Sequence, residues 1–278
     1  MRHPTPLGAS APVADSLTRK DMTIQNAAPI VQVQNIKKVY PGGVEALNDI
    51  SLDFPTGKLT TLLGPSGCGK TTLLKIIAGL LKPSSGQVLV DGKPVSEPGP
   101  ERAFVFQDFA LMPWATVLRN VAFGLELAGV SKEQREAVAV KYIATVGLKG
   151  FELKYPHELS GGMRQRVGLA RALSVNAKVL LMDEPFSAVD EQTRRKFQED
   201  MLELVAKEQK TFIFVTHSIE EAVYVSDRIV LLHRRPSRVS QIIEPNITRN
   251  VDPEAIRRQP EYLDAVENIW QSLKKFLD

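Results

Sequence analysis

Apolar and polar positions alternate through Val31, Val33, Val39 and Tyr40, the period of a half-buried strand. Further apolar runs at 59–63, 87–90, 103–107, 179–182, 211–215 and 228–232 predict six more strands. Asp91-Gly92, directly after the 87–90 run, predicts a hairpin turn. Between several of these runs the spacing lengthens to that of a helix. One helix is predicted from Gly69 to about Leu81, ended by Gly79 and Pro83. A second opens at Ser131 with Gln134 three residues on, a capping box. Its apolar residues Val138, Tyr142 and Val146 recur every fourth position before Gly147. A helical run extends from Met163 to about Leu173, and another after Asp190 places Phe197, Met201, Leu204 and Val205 on one face. A last helix is predicted from Asp252-Pro253, cap then first helical position, through Trp270. Strands alternating with helices predict an α/β domain with a largely parallel sheet. The stretch 108–158 has few strand signals and several helical ones, which predicts a helical insertion. Residues 1–28 are polar, with Pro4, Pro6 and Pro12 and no sustained period; they read as a disordered tail. The main domain is then 29–245, with 246–278 a C-terminal helical extension.

Composition narrows the class. The 278 residues are 43% apolar and 24% charged, ordinary for a globular chain rather than a disordered or fibrous one. Cys68 is the only cysteine, so no intrachain disulfide can form. No run of 18 uninterrupted apolar residues occurs, and no apolar leader opens the chain; a cytoplasmic address with no membrane span is expected. A net charge of +3 gives no argument for a nucleic-acid partner, and none is expected. Arg234, Arg235 and Arg238 read as a solvated turn.

Chemistry concentrates in three places. Gly64-Pro65-Ser66-Gly67-Cys68-Gly69-Lys70-Thr71 follows an apolar strand and precedes a helical run, the context of a P-loop. Glycines let successive backbone N–H groups converge on a phosphate, and the helix adds its positive end. Lys70 reaches the β and γ phosphates as a point charge, and the Thr71 hydroxyl is a ligand for Mg²⁺. Cys68 sits where a helix N-terminus would acidify a thiol, but it also fits as a small residue in a tight loop, and no base adjoins it in sequence. The buried-type run 179–182 ends in Asp183-Glu184, at the strand terminus where α/β sheets bind ligands. Asp183 suits Mg²⁺ and Glu184 suits polarising a water; a solvated acidic turn is the plainer alternative. Ser160-Gly161-Gly162 opens a second helix, hence either a simple cap or a second anion cradle.

Taken together, GPSGCGKT, LSGGMRQRV and VLLMDE closely resemble the ATPase subunit of ATP-binding cassette (ABC) transporters, over roughly 31–240. The resemblance implies a P-loop (RecA-like) ATPase core with an antiparallel β subdomain and an inserted helical subdomain, using ATP and Mg²⁺. It implies a head-to-tail dimer in which Ser160, Gly161 and Gly162 of one copy meet the γ-phosphate held by the Lys70 loop of the other. On the same basis Tyr40 matches the aromatic that stacks on adenine, and Thr72 continues the nucleotide-binding loop. Gln107 matches the glutamine linking Mg²⁺ and the lytic water to the helical subdomain. Asp190 matches the aspartate that communicates across the dimer, and His217 the histidine that senses γ-phosphate. Read alone, Tyr40 is a strand aromatic, Gln107 a strand-end polar residue, Asp190 a helix cap and His217 a structural histidine. Met163, Val189 and Ser218 depart from the commoner residues of these motifs without removing a catalytic group.

QDFALMPWATVLRNVAFGLE and ELSGGMRQRVGLARAL resemble the nitrate/sulfonate/taurine importer branch. That implies a separate integral-membrane permease, a periplasmic solute-binding protein and a place on the cytoplasmic face of the inner membrane. Phe109, Leu111 and Trp114 are then expected as exposed anchors for the permease, unless the loop packs on its own domain. A soluble or lipid-trafficking ABC ATPase is the alternative.

Overall fold

The computed structural model describes residues 28–187, 191–249 and 251–275. The 1–28 tail, apart from Ala28, and Asp190 lie outside the described residues. The chain runs through β1 (Val31–Val39), β2 (Glu45–Phe54) and β3 (Leu59–Leu63) into α1 (Lys70–Ile77). A hairpin of β4 (Ser85–Val90) and β5 (Lys93–Pro94) precedes β6 (Arg102–Val105). Three helices follow: α2 (Val117–Leu127), α3 (Lys132–Thr145) and α4 (Gly161–Ser174). Next come β7 (Val179–Asp183), α5 (Glu191–Glu208), β8 (Thr211–Thr216) and α6 (Ile219–Val225). The hairpin β9 (Arg228–Leu232) and β10 (Val239–Ile243) leads to α7 (Pro253–Ile256) and α8 (Pro260–Lys274).

Two sheets form. One is antiparallel, in the order β2-β1-β4-β5. The other runs β10-β9-β3-β8-β7-β6, parallel except for β10. β3, β7 and β8 are buried at every position, as strands covered on both faces must be. Side-chain alternation divides the two cores. Leu62, Leu181, Ile213, Val215 and Val230 pack with α1 and the antiparallel sheet. Leu180, Met182, Phe212, Phe214 and Leu231 pack toward the helices on the opposite face. There Phe186 meets Phe197 and Phe214 edge-on, with ring centroids 5.3 Å apart in both pairs. Each such side chain contributes roughly 1.5–3 kcal/mol through removal from water.

α2 and α3 fall within 108–158, where no strand occurs among the described residues, and α4 packs against both helices. Val117 and Val121 on α2 share one core with Tyr142 and Ile143 on α3 and Val167 on α4. The Ser174 hydroxyl, at the end of α4, donates to the Val121 carbonyl at 2.8 Å. Among the described residues, no helix is long and apolar enough to cross a membrane.

Several elements differ from the sequence expectation. β2 has no counterpart in it, because Asn48 and Asp49 interrupt the apolar run. In the structure Asp49 (φ 54°) and Asn35 (φ 50°) take left-handed backbone, the Asn35 amide donates to Asp49 Oδ1 at 2.9 Å, and the ladder shifts register there. β10 and α6 were likewise unanticipated, one short and mostly exposed, the other seven residues long. α1 stops at Ile77, short of Leu81, and Gly79 follows with φ 78°. The last helix does not continue to Trp270 from Pro253. Asp252 caps α7 by accepting from Glu254 N–H at 2.8 Å, but α7 ends at Ile256 and Pro260 starts a separate helix. Proline has no N–H for the helical ladder and suits a first turn instead. This extension clamps α6. Arg249 donates from Nε to the Tyr224 carbonyl at 3.1 Å and from Nη2 to the carbonyls of Val223 and Ser226. Arg257 stacks 3.9 Å over the Tyr224 ring.

Candidate functional site

β3 ends where the glycine-rich loop begins. Gly67 and Gly69 have φ of 72° and 109°, left-handed backbone that side-chain-bearing residues rarely adopt. A Cβ on Gly69 would meet Leu47 Cδ2 at 2.8 Å and the Ala46 carbonyl oxygen at 3.1 Å, so the loop lies close against β2 and conformation favours glycine there. Lys70 is almost fully buried, and its ammonium donates to the carbonyls of Gly64 at 2.7 Å and Pro65 at 3.0 Å. Among the described residues no carboxylate lies within ion-pair distance of it. The loop thus holds an uncompensated cation at a helix N-terminus, an environment that favours an anion.

The acidic pair lies at the carboxyl end of β7. The Thr71 hydroxyl donates to Asp183 Oδ1 at 2.8 Å. Burial pushes the Asp183 carboxyl above the usual range; the Thr71 bond opposes this, and the neighbouring Glu184 charge adds to it. A hydroxyl beside a partly desolvated carboxylate is the hard-oxygen donor set that fits Mg²⁺. Glu184 adopts φ 47°, and its N–H donates to the Val215 carbonyl at 3.0 Å. Left-handed backbone at a non-glycine residue costs on the order of 1 kcal/mol or more and tends to occur at functional sites. His217, just past β8, places Nδ1 3.3 Å from Glu184 Oε1.

A cavity of about 380 Å³, within the usual size of ligand sites, joins these parts; Tyr40, Ser66, Gly67, Gly69, Lys70, Thr71, Thr72 and Glu184 line it. The Tyr40 hydroxyl lies 3.1 Å from Thr72 Oγ1, and its ring is partly exposed. A larger cavity of about 750 Å³ sits at the other end of the sheet, beside Lys178 and Thr211 at the starts of β7 and β8. Ligands of α/β sheets bind outside the carboxyl ends of strands, so the smaller cavity is the functional one.

Other expected residues lie apart. Gly64 and Pro65 cradle the ammonium of Lys70 without lining the cavity, and a Cβ on Gly64 would lie 2.7 Å from the Leu232 carbonyl. Cys68 is buried, and burial raises its thiol pKa despite the nearby Lys70 charge, which favours the packing reading over a reactive thiolate. Gln107 lies past the end of β6 and outside the cavity. Ser160 caps α4 by accepting from Met163 N–H at 3.2 Å; neither it, Gly161 nor Gly162 reaches the Lys70 cavity. The two helix starts of one chain do not line a common cavity. Phe109 is buried rather than exposed and Leu111 is half-buried, leaving Trp114, 74% exposed, as the protruding member of that loop.

Sequence reasoning missed two residues. Glu221 is buried and accepts from the Thr216 hydroxyl at 2.5 Å, holding the segment that presents His217. Ser218 followed by Glu221 is a capping-box pattern that signals it, and Glu221 N–H does donate to Ser218 Oγ at 3.2 Å. The other is Arg235, which is exposed on the turn as the sequence suggests but also lines the phosphate-loop cavity.

Comparison with known proteins supplies the relatives. The pattern that defines the ABC transporter family matches residues 47–187. An uncharacterized ABC transporter ATP-binding protein of Methanocaldococcus jannaschii is 49% identical over 247 residues, 88% of this chain and 91% of its own. The taurine import ATP-binding protein TauB of Pseudomonas syringae pv. tomato is 45% identical over 249 residues, 88% and 95% of the two chains. Among solved structures, a dimeric post-hydrolysis state of an ATP-binding cassette bound to ADP and phosphate superposes with a TM-score of 0.70. It is 33% identical, with 77% of this chain and 98% of that one covered.

Proposed function

The chain belongs to the ABC transporter family and is an ATPase of that family, and from that premise we propose that it drives an importer of small oxyanion-type solutes, of the nitrate, sulfonate or taurine class. The observation that carries the catalytic part is the convergence of Lys70, Thr71 and Glu184 on one cavity, with Asp183 held by Thr71 and His217 beside Glu184. Tyr40 stacks on adenine. Backbone N–H groups from Ser66 to Thr72 and the Lys70 ammonium bind the phosphates. Thr71, Asp183 and Gln107 would hold Mg²⁺, which when bound would supply neutralisation of phosphate charge. Glu184 takes a proton from the attacking water while His217 fixes its carboxylate and senses the γ-phosphate. A second copy, docked head to tail, supplies Ser160, Gly161 and Gly162 over the same phosphate, and Asp190 relays between the copies. The dimeric cassette similar to this chain supports the pairing.

Closure of the pair pulls on an integral-membrane permease at the cytoplasmic face of the inner membrane, and a periplasmic protein delivers the solute. Similarity to TauB and the exposed Trp114 support this part of the reading. The test is uptake of labelled taurine, an alkanesulfonate and nitrate by cells expressing the chain with its permease, against cells carrying Glu184→Gln. Uptake of one of the three should fail in the variant. Undiminished uptake of all three, beside intact ATP hydrolysis by the purified wild type, would overturn the solute class and leave the ATPase standing.

A further inference from the structure

The turn between β9 and β10, residues 233–238, carries Arg234, Arg235 and Arg238. It is closed on itself: His233 N–H donates to the Arg238 carbonyl at 3.0 Å, and the Ser237 hydroxyl to the His233 carbonyl at 3.1 Å. It is also fastened to the antiparallel sheet. Ser237, fully buried, donates its N–H to the Ala46 carbonyl at 3.1 Å and accepts at its own carbonyl from Asn48 N–H at 2.9 Å. Ala46 and Leu47 press in turn on Gly69. Turn, β2 and phosphate loop therefore form one framework, and Arg235 extends from it over the loop. Its Nη2 lies 3.0 Å from where a Cβ on Gly67 would stand. Arg235 lines the cavity that holds Lys70 and Thr71, and a second one of about 520 Å³ with Pro65, Ser66 and Cys68. Among the described residues no hydrogen bond or ion pair holds its guanidinium.

Arg235 is solvent-exposed, and the cavity it lines brings it beside the N-terminus of α1 and Lys70, with Glu184 also on the wall. A polyphosphate chain seated on the glycine-rich loop would be attracted by the guanidinium, the helix end and the ammonium alike. We propose that Arg235 is a second phosphate-directed cation of the nucleotide site, donating from the β9–β10 turn to a non-bridging phosphate oxygen of ATP. The inference rests on the nucleotide reading given above. Arginine suits the role because its planar fork offers two parallel donors to one phosphate. A Cβ on Gly67 would stand 3.0 Å from Nη2, so the bare glycine leaves the guanidinium close to the loop. Phosphate rather than adenine is the expected contact because Arg235 lies over Gly67 and shares the second cavity with Pro65, Ser66 and Cys68 of the phosphate loop.

The test uses the full chain and calorimetric binding of ATP, ADP and AMP. Arg235→Ala should weaken ATP binding about tenfold, as loss of a charge-assisted hydrogen bond implies. The loss should shrink from ATP to ADP to AMP, and the salt dependence of ATP binding should become shallower. Arg235→Lys should recover part of the affinity. Arg238→Ala, on the same turn but outside the cavity, should bind as wild type. ATP affinity equal to wild type in Arg235→Ala, or an equal loss for all three nucleotides, overturns the proposal. Should Arg235→Ala melt early without nucleotide, Arg235→Gln, close in length and uncharged, carries the same comparison. Failure of the wild type to bind ATP would instead sink the nucleotide reading. Wild-type binding that Lys70→Ala abolishes and Arg235→Ala spares would sink this inference alone.

Discussion

Two glycine-bearing helix starts, at α1 and at α4, offer the same backbone chemistry and differ in everything around it. Both present N–H groups that a helix cannot satisfy internally. At α1 those groups are joined by the Lys70 ammonium, the Thr71–Asp183 pair and the Glu184 carboxylate, all within reach of one cavity. At α4 the Ser160 hydroxyl already accepts from Met163 N–H, and Arg164 donates back to the Leu159 carbonyl at 2.7 Å. The first start has the means to bind and react. The second has only a shape and a dipole; under the proposed head-to-tail pairing it would act on a phosphate held by the other copy. The contrast is what makes a chain with one reactive loop a candidate for dependence on a copy of itself.

The contrast can be broken most directly at Glu184. Replacing it with Gln keeps size and removes the base, so turnover should fall about 10²–10⁴-fold, roughly 3–5 kcal/mol of barrier, with ATP affinity nearly unchanged. Phosphate release close to wild type would strip α1 of its reactive character. Next in size, Lys70→Ala should weaken ATP binding by on the order of 10²-fold, about 2–3 kcal/mol, measured calorimetrically. Unaltered affinity would show that the buried ammonium is only a loop brace. Ser160→Ala sharpens the other half. Loss of the cap should lower stability by about 1 kcal/mol in a denaturant melt. It should also weaken ATP-dependent dimerisation in sedimentation while monomer binding of ATP stays intact; a change in monomer binding would mean that the two starts are not independent.

The smallest effect concerns Glu221. Burial raises its carboxyl pKa, with the Thr216 hydroxyl and Arg194 opposing. Between the ordinary glutamate value and the higher folded value, the folded chain holds more protons than the unfolded one, so its contribution to stability falls as pH rises through that interval. Glu221→Gln should remove this slope from a series of melts across mildly acidic pH. A slope identical to wild type would place the titrating group elsewhere, with buried Asp183 as the next carboxyl to test.

The phosphate loop was readable from sequence because its chemistry is local: eight consecutive residues between a strand and a helix set both conformation and charge. A site role for His217 was suggested only by the family resemblance, and its position beside Glu184 was not readable at all, since separate strands bring the two together. Arg235 was not readable at all. Its position depends on backbone bonds between Ser237 and β2, and no local pattern records those. β2 was hidden by the Asn48-Asp49 interruption, which the structure absorbs as a bulge. Phe109 reads as an exposed loop aromatic but is buried beside Gly168, whose missing Cβ would have stood 3.9 Å from that of Phe109.

Arg249 carries one further consequence. Its guanidinium supplies donors to three carbonyls at the end of α6, the helix that starts two residues after His217. A chain cut just after the second sheet would leave those oxygens bare and the Tyr224 ring without its stacked cation. Minimal versions of this protein trimmed to the nucleotide core should therefore fray first at the Val223–Ser226 end of α6, the end away from His217, and the boundary for any shortened form belongs after α8, not before α7.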